Sequence, residues 1–161
     1  AAEAAAEAAA EAAAEAAAAA ALGSRPVALL GVSLGARVVW HCLETLAAMP
    51  ASDGAAGLVG DVVLLVAPVT LNAARWERVA AVAAGRLLNC YVPAHAQLAA
   101  LYRADHLTSQ GCCGLAPVQS RLVENVDATP LVAADSDSYH FALPAVLEAV
   151  GLFPSSAVSS R

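Results

Sequence analysis

Gly31-Val32-Ser33-Leu34-Gly35 constrains this chain more than any other stretch, because of what stands on either side of it. The apolar run Val27-Ala28-Leu29-Leu30 enters as a strand, and Ala36-Arg37-Val38-Val39-Trp40 leaves with helical character. A strand that turns directly into a helix leaves no room for side chains beside the bend, so glycine is expected at both flanks. The residue at the apex takes a strained backbone, and its hydroxyl is carried above the sheet. The first N–H groups of the following helix can then receive an oxyanion.

Downstream the pattern alternates as a parallel α/β unit should. Strands are expected over Arg25 to Val32, Asp61 to Ala67, Arg86 to Val92 and Arg121 to Asp127. Asp61-Val62-Val63-Leu64-Leu65-Val66-Ala67 is nearly continuous in apolar residues, the mark of a strand buried on both faces. Helices are expected over Gly35 to Met49, Asn72 to Ala84 (with Asn72 as its cap), Ala96 to Arg103, and from Pro144 to Val150. Trp40 and Trp76 sit among apolar neighbours at helical spacing and belong to the core. The expected class is α/β: a partial, hydrolase-like parallel sheet of about four strands. Its first strand would carry an open edge, since no strand pattern precedes it.

Residues 1–22 differ in kind. Glu3, Glu7, Glu11 and Glu15 recur every fourth position in alanine. Helix propensity is high, but the glutamates repel at i,i+4 and Leu22 is the one large apolar side chain, so a solvated helix is expected. The domain proper is assigned to 23–153, and 154–161 to a disordered tail. The spaced charges rule out a bilayer span within 1–22, and no basic start resembles a signal peptide.

Composition narrows the function. Hydrophobic content is 60%, much of it alanine, and the formal net charge is -6 with eight arginines and no lysine. An acidic chain without clustered cations is no nucleic-acid binder. Cys42, Cys90, Cys112 and Cys113 lack the paired spacing of a zinc site and read as buried thiols of a reducing compartment; the adjacent Cys112-Cys113 leaves a redox or acylation role open. No metal or cofactor is expected.

A G-x-S-x-G between strand and helix is the signature of the α/β-hydrolases. With it go GSRPVALLGVSLGARVVWHCLETLA, DVVLLVAPV, W-E-R-V-x-x-V-x-x-G-R-L-x-N from Trp76 to Asn89, and GLAPVQSRLVENVD. In this order the blocks resemble the transmembrane and coiled-coil domain-containing protein four family, a domain of unknown function related to α/β-hydrolases. The resemblance runs from Gly23 to about Phe153. It implies a lipase- or esterase-like domain acting on an ester or lipid substrate, in members that often carry membrane spans upstream. An intracellular location, cytoplasmic or peripheral to a membrane, is expected.

Ser33 falls on the family's presumed nucleophile, while its acid and base positions are altered. The expected aspartate after Asn89-Cys90-Tyr91 is His95, and Ser136 stands where the family's histidine belongs, with His140 four residues on. The chain order serine, acid, histidine is met by Ser33, Asp127 (or Asp105) and His140. Leu34 would supply the oxyanion N–H. His95 reads as a loop-surface histidine, with a misplaced base as its alternative, His41 and His106 read as surface residues, and Asn125 and Asp127 are also candidates for turn geometry. The alternatives are a catalytically inactive hydrolase-fold interaction module and an incomplete fragment of a membrane-associated protein.

Overall fold

The computed structural model describes residues 26–50, 57–105, 111–132 and 139–152; the Ala/Glu segment and the tail lie outside them. The described elements run β1 (Val27–Val32), α1 (Leu34–Ala48), β2 (Val59–Leu65), α2 (Ala73–Ala80), β3 (Leu87–Tyr91), α3 (Ala96–Asp105), β4 (Glu124–Asp127) and α4 (Tyr139–Ala149). The strands make one parallel sheet in the order β1-β2-β3-β4. This is the partial α/β sheet that the sequence implies, with β1 at one edge.

Alternation along β2 divides the core in two. Val62 and Leu64 pack with Trp40, Leu43 and Leu46 of α1 and with Trp76 and Val79 of α2. Val63 and Leu65 pack on the other face with Leu88 and Cys90, under Leu98 and Tyr102 of α3 and Val146 of α4. Helices therefore cover both faces, and the apolar run of β2 is buried on each side.

Polar links fix α1 against α2. The Trp40 and Trp76 rings lie 4.6 Å apart at 51°, and the Trp76 indole N–H donates to the Thr70 carbonyl at 2.8 Å. Arg75 donates to the Glu44 carboxylate through Nε at 2.7 Å and Nη2 at 2.8 Å. Burial pushes the Glu44 carboxyl up, but hydrogen bonds from His41 and Arg75 outweigh it and hold it below its ordinary value. At the amino end of the sheet, Asp61 accepts from the Arg86 N–H at 2.7 Å. The Arg86 guanidinium reaches Glu124 on β4 and the Val150 carbonyl past α4.

Three boundaries differ by three residues or more from the sequence expectation. α2 stops at Ala80 and not at Ala84, because Ala83 bridges to Val59 and the Ala84 N–H donates to the Val59 carbonyl at 2.8 Å. β4 begins only at Glu124, since Leu122 is held in a turn by Ser120 Oγ. α4 starts at Tyr139, leaving Pro144 inside the helix, where its missing N–H forfeits one backbone bond.

Candidate active site

The bend after β1 is built from backbone. A Cβ on Gly31 would lie 2.8 Å from the Ala36 nitrogen and nearer still to its Cα, so strand and helix meet with no space for a side chain. Ser33 follows with φ 51° and ψ -120°, in the left-handed region that a serine enters only under constraint. Its N–H donates to Leu65 at 2.9 Å, and its carbonyl accepts from Ala36 and Arg37 at 3.0 and 3.3 Å. A serine before a helix ordinarily caps it with its hydroxyl. This one makes no side-chain cap bond, so Oγ is not spent on the helix. Leu34 and Gly35 open α1, where no carbonyl of the helix precedes them to accept their N–H groups. The expectation that both glycines are sterically required holds for Gly31 alone. A Cβ at Gly35 would meet nothing within 4 Å, because that position already faces outward in the first helical turn.

A second strained residue stands beside the first. Val32 pairs with Leu65, so Ser33 and Val66 end neighbouring strands at the same level. Val66 has φ 52° and is fully buried, its N–H donating to Cys90 at 2.9 Å. A β-branched residue there costs on the order of 1–3 kcal/mol. Gly114 packs on the peptide that follows: a Cβ on it would come within 2.6 Å of the Val66 carbonyl carbon. Nothing in the sequence signals this bend, since valine is among the least expected residues at positive φ.

The acid candidate Asp127 stands elsewhere on the same rim. The register runs Val32–Leu65–Cys90–Val126 across the sheet, so Ser33 and Asp127 end one row at opposite edges. Three strand spacings put their Cα atoms about 14 Å apart. Asp127 is exposed and accepts from the Thr129 N–H at 2.9 Å, and this bonding lowers its carboxyl. The backbone of His140 is the second residue of α4, and Asp105 closes α3. Ser136 and His106 lie outside the described residues.

His95 corrects the sequence expectation of a surface histidine. It is 2% exposed, and its Nδ1 accepts from the Leu98 N–H at 3.1 Å, capping α3. His41 is also partly buried, its Nδ1 3.4 Å from Glu44. Asn125 serves loop geometry, bracketing Val118 by accepting from its N–H at 2.7 Å and donating to its carbonyl at 2.9 Å. Asn89, opposite it on β3, donates to Asn125 Oδ1 at 3.1 Å. Together the pair holds the GLAPVQSR loop to the sheet, a contact between residues far apart in sequence.

All four cysteines are free and buried. Burial pushes the Cys90 and Cys112 thiols up to about 11 and Cys113 well above its ordinary value. Cys112 and Cys113 both donate through Sγ to the Ala67 carbonyl, at 3.3 and 3.4 Å. A thiol reagent at neutral pH is therefore expected to titrate none of the four in the native chain and all four in denaturant. Rapid native reaction at Cys112 or Cys113 would contradict the packing described. Among the described residues no cluster of His, Cys, Asp and Glu is arranged to hold a metal ion.

A family model described as a protein of unknown function (DUF726) matches residues 2–153. The chain is 44% identical over 126 residues to the transmembrane and coiled-coil domain-containing protein STS1 of Oryza sativa subsp. japonica, covering 78% of this chain and 18% of that protein. It is 37% identical over 133 residues to an uncharacterized membrane protein of Caenorhabditis elegans, covering 81% and 21% respectively. Similarity to the probable lipase MIL1 of Saccharomyces cerevisiae is 30% over 132 residues, 81% of this chain and 12% of that protein. The chain thus spans about a fifth or less of the length of these relatives. No solved structure matches it. No described helix is long and apolar enough to cross a membrane.

Proposed function

The chain belongs to the DUF726 family of proteins of unknown function, and from that premise we propose that it is a serine hydrolase-like domain of lipase or esterase type, with Ser33 at a nucleophile elbow. The observation that carries the proposal is the left-handed Ser33 between β1 and α1, its backbone fully bonded and its hydroxyl not used as a cap. Similarity to a protein named a probable lipase supports the same reading. In this mechanism Ser33 Oγ attacks the acyl carbonyl of an ester or lipid. His140 takes the serine proton and returns it to the leaving group, and Asp127 holds the imidazole in one tautomer. The Leu34 N–H stabilises the oxyanion at the head of α1. The relatives named as membrane proteins support an association with a membrane.

A second reading, an inactive hydrolase-fold interaction module, is favoured by two specific observations. His95, at the presumed acid position, is spent on capping α3, and Asp127 caps Thr129 at the far edge of the sheet. A fluorophosphonate probe separates the two. The active reading expects covalent labelling of the wild type that disappears in Ser33→Ala and falls steeply in His140→Ala. A folded wild type that takes up no label favours the silent module.

A further inference from the structure

β1 and β2 separate at a single peptide. Bonds in a parallel ladder run back and forth between the strands, evenly spaced. The Ser33 N–H donates to the Leu65 carbonyl at 2.9 Å, so the next bond would run from the Ala67 N–H to the Ser33 carbonyl. It does not form, because α1 begins at this level and the Ser33 carbonyl accepts from Ala36 and Arg37 instead. No described group accepts from the Ala67 N–H, although Ala67 is fully buried. A buried backbone donor without a partner is rare enough to need a cause. The Ala67 carbonyl, by contrast, is heavily used. It accepts from the N–H groups of Val69 at 2.9 Å and Gly114 at 3.0 Å, and from the thiols of Cys112 and Cys113. On the other side stands the left-handed Val66, and a Cβ on Gly114 would come within 2.7 Å of the Ala67 nitrogen. The donor is fixed from both sides, at a cost in strain, and left unbonded.

We propose that the Ala67 N–H is a second oxyanion donor, acting beside that of Leu34. The inference rests on the hydrolase reading and deepens it. Val32 pairs with Leu65, so Ser33 stands level with Val66, and Leu34 and Ala67 each follow by one residue. Neighbouring strands lie about 5 Å apart, and an oxygen bridging donors at that separation lies about 2.9 Å from each. When Ser33 Oγ adds to the acyl carbon, its proton passes to His140 and the carbonyl π pair moves onto oxygen. That oxygen then accepts from both N–H groups. On collapse the pair returns, the bond to the leaving oxygen breaks, and His140 protonates that oxygen. A donor already held in place and unbonded needs no reorganisation as the charge develops.

The test reads the full chain before and after reaction with an alkyl fluorophosphonate, whose phosphonyl oxygen takes the oxyanion's place once the probe is bonded to Ser33. In the adduct the Ala67 amide proton is expected to move downfield, with no such shift when the probe is added to Ser33→Ala. Replacing Ala67 by lactic acid exchanges the amide for an ester and deletes this N–H alone. Labelling is then expected to slow roughly 100-fold or more. The urea midpoint should stay where it is, since no bond is lost in the free chain. The same exchange at Ala84, whose N–H donates to the Val59 carbonyl at 2.8 Å, should lower the midpoint and leave the labelling rate alone. A labelled wild type with an unmoved Ala67 amide, or an Ala67 ester that labels at the wild-type rate, would overturn the second donor and leave Ser33 standing as nucleophile. An Ala67 ester as destabilised as the one at Ala84 would overturn it too, by showing that this N–H is already bonded. A folded wild type that takes no label overturns the hydrolase reading and this inference together.

Discussion

Gly31→Ala is expected to destabilise the chain by at least about 3 kcal/mol, at the upper end of what overpacking costs, because the obstacle is backbone that cannot rotate away. The added methyl would overlap the Cα of Ala36 and sit 2.8 Å from its nitrogen, both fixed by α1. Relief requires separating the helix from the strand, which also breaks the Ser33 bonds to Leu65, Ala36 and Arg37. Gly35→Ala is the control. Its Cβ meets nothing, and alanine suits a helix better than glycine, so a gain of ~0.5–1 kcal/mol is expected. Urea denaturation of the two variants reads the contrast. Equal effects would mean that the strand and helix do not meet as described.

Trp76→Ala is expected to cost about 4 kcal/mol, a large share of a domain's ordinary stability. The side chain is fully buried, and its truncation leaves a cavity between α1, α2 and the sheet. It also removes the ring partner of Trp40 and strips the Thr70 carbonyl of its donor. Trp76→Phe keeps most of the volume and loses the N–H, so a cost nearer ~1–2 kcal/mol is expected. A shift in the urea midpoint ordered wild type, Phe, Ala checks this. A small effect of the alanine variant would show that α2 is not docked through this ring.

What sequence could reveal here was local or periodic. The order of strands and helices follows from alternating apolar runs, and β2 announced its burial through Val62-Val63-Leu64-Leu65. The bend at Ser33 was legible because glycine, strand and helix signals converge on five residues. Contacts between distant residues were not legible. The burial of His95 depends on α3 folding over it, and the Asn89–Asn125 pair forms only when β3 and β4 align. Gly35 was misjudged because a motif names two glycines without saying which one touches anything. Val66 is the sharpest case, since its backbone is imposed by Cys90 and Gly114 against its own preference.

The central claim is that Ser33 is held at an unfavourable left-handed bend with its hydroxyl left over. The direct measurement is the unfolding free energy of Ser33→Gly and Ser33→Ala beside the wild type. If the bend is strained and the hydroxyl uncommitted, glycine raises stability by about 1 kcal/mol and alanine leaves it nearly unchanged. An ordinary serine cap gives the reverse pattern, with alanine costing about 1 kcal/mol and glycine a few tenths. That reverse pattern would contradict the account.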